Sequence, residues 1–232
     1  MNHVMRNLNV SQNLKRDTGE AHTKGEIMFR KSTFLKLSVV ACTTVFSLIS
    51  ANAWAMEEQL KKIDAYAKGE LSEWASHPLV IEAVRKQNEE HASLSFEHVV
   101  SLDNTWRDAK SEEENKALAA RLHNKAAAFL KGLQVASHLG ITEVFVVDNR
   151  GLNVAQSTPT SDFWQGDEDK WLYPYYHDAE VDKGTPYDIS DIDYDSSTGA
   201  IQVQASLPIK DPDTGDTIGT ITFGFNLGKL AS

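Results

Sequence analysis

The sequence predicts an α+β domain, a long N-terminal helix packed on an antiparallel sheet of five to six strands. Three observations predict it. Apolar residues recur at three- and four-residue steps up to Leu139 and at alternate positions after Gly140. Two turn signals, Asp148 to Gly151 and Asp213 to Asp216, sit between apolar runs rich in β-branched and aromatic residues. Helices come first and strands follow, which is the order of an α+β chain.

The first 55 residues are set apart from that domain. From Met28 the text reads "MFRKSTFLKLSVVACTTVFSLISANAWA", with Arg30, Lys31 and Lys36 ahead of an apolar run from Leu37 to Ile49. "ANA" (51–53) and "AWA" (53–55) are small-residue cleavage sites, so 28–55 reads as a secretory signal peptide. The apolar run falls short of the about 20 residues of a membrane span. Residues 1–27 are polar and without periodicity, an upstream extension expected to be unstructured. Cys42 in "VVAC" offers a lipid-anchored alternative, although the apolar run continues beyond it through Val45, Phe46, Leu48 and Ile49.

The single domain expected over 56–232 holds 177 residues, enough for its own core, and contains no cysteine. Seven of the 23 basic and three of the 33 acidic residues lie in the first 55, so 16 basic and 30 acidic residues remain, a net charge of −14. Such a surface repels nucleic-acid phosphates and anionic lipid. The expected compartment is the periplasm.

Element by element, Leu60, Ile63, Tyr66 or Ala67, Leu71 and Trp74 give the first helix one apolar face. His77-Pro78 interrupts it, since the residue before proline avoids helical backbone. "LVIEAVRKQNEEHASL" resumes as helix. "DAKSEEENKALAARLHNKAAAFLKGLQVASHLG" reads as a second long helix, acids at its start, lysines and a histidine at its end, stopped by Gly140. "ITEVFVVDNRG" and "LNVAQS" form one hairpin, and "AIQVQASLPIKD" with "DPDTGDTIGTITFGFNL" forms another. Phe145, Val147, Val203, Ala205, Ile221 and Phe223 should divide between core and pocket by alternation. The long connection 157–199 carries the densest chemistry, "SDFWQGDEDKW" (161–171).

With these residues on the page, "VFVVDNRGLNVAQS", "SDFWQGDEDKW" and "PYDISDIDYDSSTGAIQVQASLPIKDPDTGDTIGTITFGF" resemble the Cache sensor domain, a PAS-like extracytoplasmic family. With the first helix and "SLDNTWRD", the resemblance covers most of 57–230. It implies a long helix along the sheet and a small ligand held between the sheet and the long connection. Many members of that family are the sensing ends of chemoreceptors and kinases. This chain stops at Ser232, after its last strand, so the expectation is a stand-alone domain that passes ligand occupancy to a separate membrane receptor or kinase. The alternative is an accessory interaction domain with a vestigial pocket that docks a membrane protein.

The candidate ligand-binding residues are Trp164, Asp169, Trp171, Tyr173, Tyr187 and Asp195. Aromatic faces supply area and attract cations, and a few carboxylates fix orientation. In an amino-acid-binding branch of the family, an arginine two positions before a tryptophan holds the ligand carboxylate. Here Asp169 stands two before Trp171, and "DYDSSTG" echoes that branch's second motif in part, with Asp195 fitting and Asp193 in place of its tyrosine. Acids in place of the arginine, among aromatic walls, favour an amine or cationic ligand. No metal is expected, because the EF-hand-like run Asp191, Asp193, Asp195 has Ser196 and Gln202 where glycine and glutamate belong. No cofactor or catalytic constellation is expected either. His77, His91, His98, His123 and His138 fall on the helical half without an H-E-x-x-H pair, and His177 alone lies near the aromatic stretch.

Overall fold

The computed structural model describes residues 54–109, 113, 115–176, 185–195 and 199–230. The upstream extension, the leader as far as residue 53, Cys42 and His177 lie outside the described residues.

Helix α1 (54–68) passes through a turn at Gly69 into α2 (Glu70–Ala75). Ile63, Ala67, Leu71 and Ala75 recur every four residues, and all are buried. His77 then adopts extended backbone, and its Nδ1 accepts the Leu79 amide at 3.3 Å. Pro78 opens α3 (Pro78–Glu90), where a missing amide hydrogen and a fixed φ cost nothing. Ser95 caps α4 (Phe96–Asp108) by accepting from the His98 amide.

The single long helix expected from Asp108 to Gly140 is corrected by the structure. The segment contains α5 (Lys116–Leu122) and a separate α6 (Lys125–Ala136). Asn124 makes the break, because its side chain accepts the Ala127 amide at 3.0 Å and donates to the Val154 carbonyl at 2.8 Å. Capping a new helix and tying it to a strand outweighs continuing the old one. α6 also ends early, at a Ser137 C-cap whose hydroxyl accepts from Leu139 N.

The strands are β1 (Ile141–Val147), β2 (Asn153–Gln156), β3 (Asp188–Ile189), β4 (Asp193–Asp195), β5 (Ala200–Lys210) and β6 (Thr217–Asn226). They form one open sheet in the order β2-β1-β6-β5-β3, with β4 also beside β5, and every pairing is antiparallel. Both expected turns are present. Asp148 Oδ1 accepts Arg150 N and Leu152 N, and Gly151 supplies the positive φ of 82° that closes the first. Asp211 accepts Asp213 N at 2.8 Å in the second. Arg85 of α3 forks onto Asp211 and Asp213 and holds the Asp211 carboxyl down to about 2.

Alternation divides the sheet. One face carries Val144, Val146, Val203, Ala205, Ile221, Phe223 and Phe225 into the main core with α1, α2, α3 and α6. The other carries Phe145 and Val147, covered by Trp171 of α7 (Asp169–Tyr176). Beyond the β2 edge a smaller core joins Val99, Trp106, Leu118, Leu122, Leu152 and Phe163. A last turn of helix, α8 (Leu227–Leu230), follows β6. The molecule is an α+β, PAS-like architecture with N-terminal helices packed on an open antiparallel sheet.

Candidate functional site

The stretch 161–171 divides into a structural plug and a cover over the sheet. The plug is fastened by Asp103 of α4, whose Oδ1 accepts both Phe163 N and Trp164 N at 3.0 Å. Its other oxygen meets Arg107 at 2.7 Å, and Arg107 reaches Asp162 at 3.1 Å. Trp106 Nε1 donates to the Thr160 carbonyl and Asn153 Nδ2 to the Asp162 carbonyl, both at 2.9 Å. Trp164 bridges to Leu152 and donates from Nε1 to the Arg150 carbonyl. A Cβ built on Gly151 would lie 2.5 Å from Gly166 Cα, so both glycines are needed where plug and hairpin touch.

From Asp169 the chain turns into α7, which lies over β5, β6 and β3. Trp171 is buried, stacks on Tyr175 with centroids 4.7 Å apart, and donates from Nε1 to the Asp148 carbonyl. Lys170 points its Nζ over the Phe145 ring at 5.5 Å and pairs with Glu168 at 2.8 Å.

Two grooves flank this helix. The first, about 480 Å³, is aromatic: Phe96, Trp164, Trp171 and Tyr176 line it with Arg150, and among the described residues no acid does. The second, about 660 Å³, is acidic: Glu168, Asp169, Asp188 and Asp191 line it with Lys170, Tyr173, Ser190 and Gln204. Among the described residues no group of three His, Cys, Asp or Glu side chains is placed to hold a metal ion.

At the back of the polar face lies a buried carboxyl. Glu143 of β1 is 3% exposed, and its Oε1 accepts from Gln202 Nε2 and Gln204 Nε2 at 3.0 Å each. Gln202 also donates to Asp195 Oδ2 at 2.7 Å and accepts from Thr142 Oγ1 at 2.6 Å. Gly224 leaves room for this cluster, since a Cβ there would lie 2.5 Å from Thr142 Oγ1 and 2.9 Å from Gln202 Oε1. Burial pushes the Glu143 carboxyl above its usual range, and nearby Asp195 adds to that, against the glutamine bonds and Lys170. Gln204 belongs both to this cluster and to the acidic cleft wall.

The structure therefore distributes the six candidate residues over four places. Asp169 and Tyr173 share the acidic cleft, while Trp164 and Trp171 share the aromatic groove. Asp195 joins the Glu143 cluster. Tyr187 packs into the main core on the helix side, and its hydroxyl donates to Asp64 at 2.5 Å. Sequence reasoning missed Glu143, Gln202 and Gln204. Their signal was present, one acid inside the apolar run "ITEVFVV" and a polar member at each alternate position of "IQVQ".

No family model matches the chain, and no curated protein does. Several solved sensor domains are similar to it at a distance. The ligand-binding domain of the Campylobacter jejuni chemoreceptor Tlp3 in complex with L-valine is 12% identical with a TM-score of 0.38, covering 87% of this chain and 68% of that one. The V. cholerae histidine kinase DctB sensor domain is 14% identical with a TM-score of 0.35, covering 78% of this chain and 59% of that one. The E. coli DcuS sensor domain is 15% identical with a TM-score of 0.34, covering 58% of this chain and 90% of that one. The chain spans 60% of the Tlp3 domain in its 4-methylisoleucine complex.

Proposed function

We propose that this chain is a non-catalytic small-molecule sensor whose ligand, an amine or other cation, enters the acidic cleft under α7. Asp169 and Tyr173 are its contacts there, and Asp195 acts through the Glu143 cluster behind. One observation carries the reading. Among the described residues, four carboxylates and a single lysine line a cleft of about 660 Å³, and that lysine is already paired with Glu168. A cation entering it exchanges water for carboxylates and a tyrosine ring. Occupancy would shift α7, which spans cleft and sheet, and a separate membrane receptor or kinase would read that shift. In the same proposal 28–55 is a cleaved leader and 56–232 works in the periplasm as one domain. Among the described residues, no helix is long and apolar enough to cross a membrane.

Calorimetry with alkylamines, quaternary ammonium compounds, amino acids and short dicarboxylates tests the ligand class. The expected result is saturable binding of an amine, weakened about tenfold or more by Asp169→Asn and less by Asp195→Asn, because a charge-assisted bond contributes about 1.5–3 kcal/mol. Absence of saturable amine binding, or amine affinity indifferent to Asp169→Asn, would overturn the sign assigned to the cleft. N-terminal sequencing of envelope material tests the leader, with a start near Trp54 or Met56 expected.

The aromatic groove favours a second reading, an accessory domain that docks a membrane protein. Phe96 and Tyr176 are 60% and 66% exposed beside it, unusual for side chains of that size. Thermal melting separates the two. A sensor gains stability from its ligand by mass action, whereas a docking domain gains it from its partner and from no metabolite.

A further inference from the structure

On the opposite side of the sheet from α7, a third cleft opens between α3 and the elbow where α5 gives way to α6. It measures about 280 Å³, room for roughly nine waters. Leu79, Ala83, Ala126 and Val154 give it an apolar side. The polar side has His91 at its base, 6% exposed, with Nδ1 2.9 Å from Asp148 Oδ2. Asp148 is fully buried and also accepts from Gln87 Nε2, Arg150 N and Leu152 N. A carboxylate surrounded by donors requires His91 Nδ1 to be a donor too.

Charge in this cleft differs from charge under α7. Arg121 and Lys125 line it, and Arg121 is near enough to Glu90 to help hold that carboxyl below its usual range, after Lys86. Glu90 is tied to Lys86 at 2.6 Å, which leaves Glu82, exposed, as the one lining carboxylate outside an ion pair among the described residues. Asn124, Lys125 and Ala126 begin the 12-residue helix α6, so its positive dipole end adds to the two cations. Arg121, Lys125 and the start of α6, with Glu82 beside them, make this cleft a local reversal of sign in a strongly acidic protein. An apolar wall beside them suits a ligand that is anionic at one end only.

We propose that this cleft is a second ligand site, taking a short-chain monocarboxylate. Arg121 and Lys125 hold its carboxylate, and the alkyl part lies against Val154, Ala126 and Leu79. The site is separated from the acidic cleft by the thickness of the sheet and does not depend on what binds there.

The test is calorimetry of the purified full-length chain with butyrate, and with inorganic phosphate as the other oxyanion, near neutral pH. Butyrate should bind saturably, and Arg121→Gln and Lys125→Gln should each weaken it about tenfold or more. Both side chains are exposed, so neither substitution should move the thermal midpoint of the unliganded protein. Asp169→Asn, in the other cleft, should leave butyrate affinity unchanged. The proposal is overturned by absence of saturable butyrate heat, by butyrate affinity indifferent to Arg121→Gln and Lys125→Gln, or by loss of it in Asp169→Asn. Preference for phosphate over butyrate overturns the carboxylate assignment.

Discussion

Strand β6 shows Ile221, Phe223 and Phe225 to the helices and Thr220, Thr222 and Gly224 to the side that α7 covers. Neighbouring β5 does the same, with Val203, Ala205 and Leu207 on one face and Gln202, Gln204 and Ser206 on the other. The helix face is held by non-directional contact, which depends on volume and tolerates no void. The other face is held by directed bonds, such as Gln202 and Gln204 to Glu143 and Ser206 to Thr222 at 2.9 Å. A face built of directed polar groups has partners to exchange with a ligand, and a close-packed apolar face has none. The difference explains why the sensing cleft is proposed under α7 and why the two faces should respond differently to substitution.

The largest effect belongs to the helix face. Phe223 is fully buried, with Trp74 centred 5.8 Å from its ring. Phe223→Ala should cost about 3–5 kcal/mol in denaturant unfolding, from lost transfer energy and the cavity left behind. A loss below about 1.5 kcal/mol would mean that helices and sheet can collapse onto the gap, and that the two faces are less different than drawn. The plug beyond the β2 edge comes next. Asp103→Ala strips two backbone donors of their acceptor, and should cost about 3 kcal/mol. Faster proteolysis within 157–168 than in the wild type would locate that loss in the plug, and unchanged cleavage would show that other bonds suffice to hold it.

How much of this was legible beforehand follows from sequence distance. The division of Phe145 and Val147 from Ile221 and Phe223 rests on period-two alternation inside each strand, and both turns rest on four-residue signals, so these could be read locally. The break at Asn124 was hidden because alanine-rich helical sequence lies on both sides of it and its strand partner, Val154, is 30 residues away. Asp103 reaches its plug across 60 residues and Tyr187 reaches Asp64 across 123, so neither contact leaves a mark in any local window. For "SDFWQGDEDKW", composition suggested one pocket of tryptophans and acids. Helix α7 instead sends Trp171 to one groove and Asp169 to the other, because residues two apart on a helix face different ways. Glu143, Gln202 and Gln204 meet only once β1, β6 and β5 are in register, with the irregularity between Ile141 and Glu143 included.

Glu143→Gln should give the smallest effect and the one most specific to the polar face. Burial, aided by Asp195, holds this carboxyl above its usual range, against its bonds to Gln202 and Gln204 and the nearby Lys170. An acid raised in this way binds more protons folded than unfolded. Its contribution to stability is fully present below the ordinary carboxylate range and is lost as pH rises through the raised folded value. The substituted amide still offers an acceptor to both glutamines and has no charge to desolvate. Urea midpoints of the two proteins should therefore nearly coincide at about pH 4 and separate in the variant's favour toward about pH 8. A difference that stays flat over that interval would mean that the carboxyl titrates alike in the folded and unfolded chain. The polar face would then be wet enough to carry its charge freely, and the contrast between the two faces would be one of bonding geometry alone.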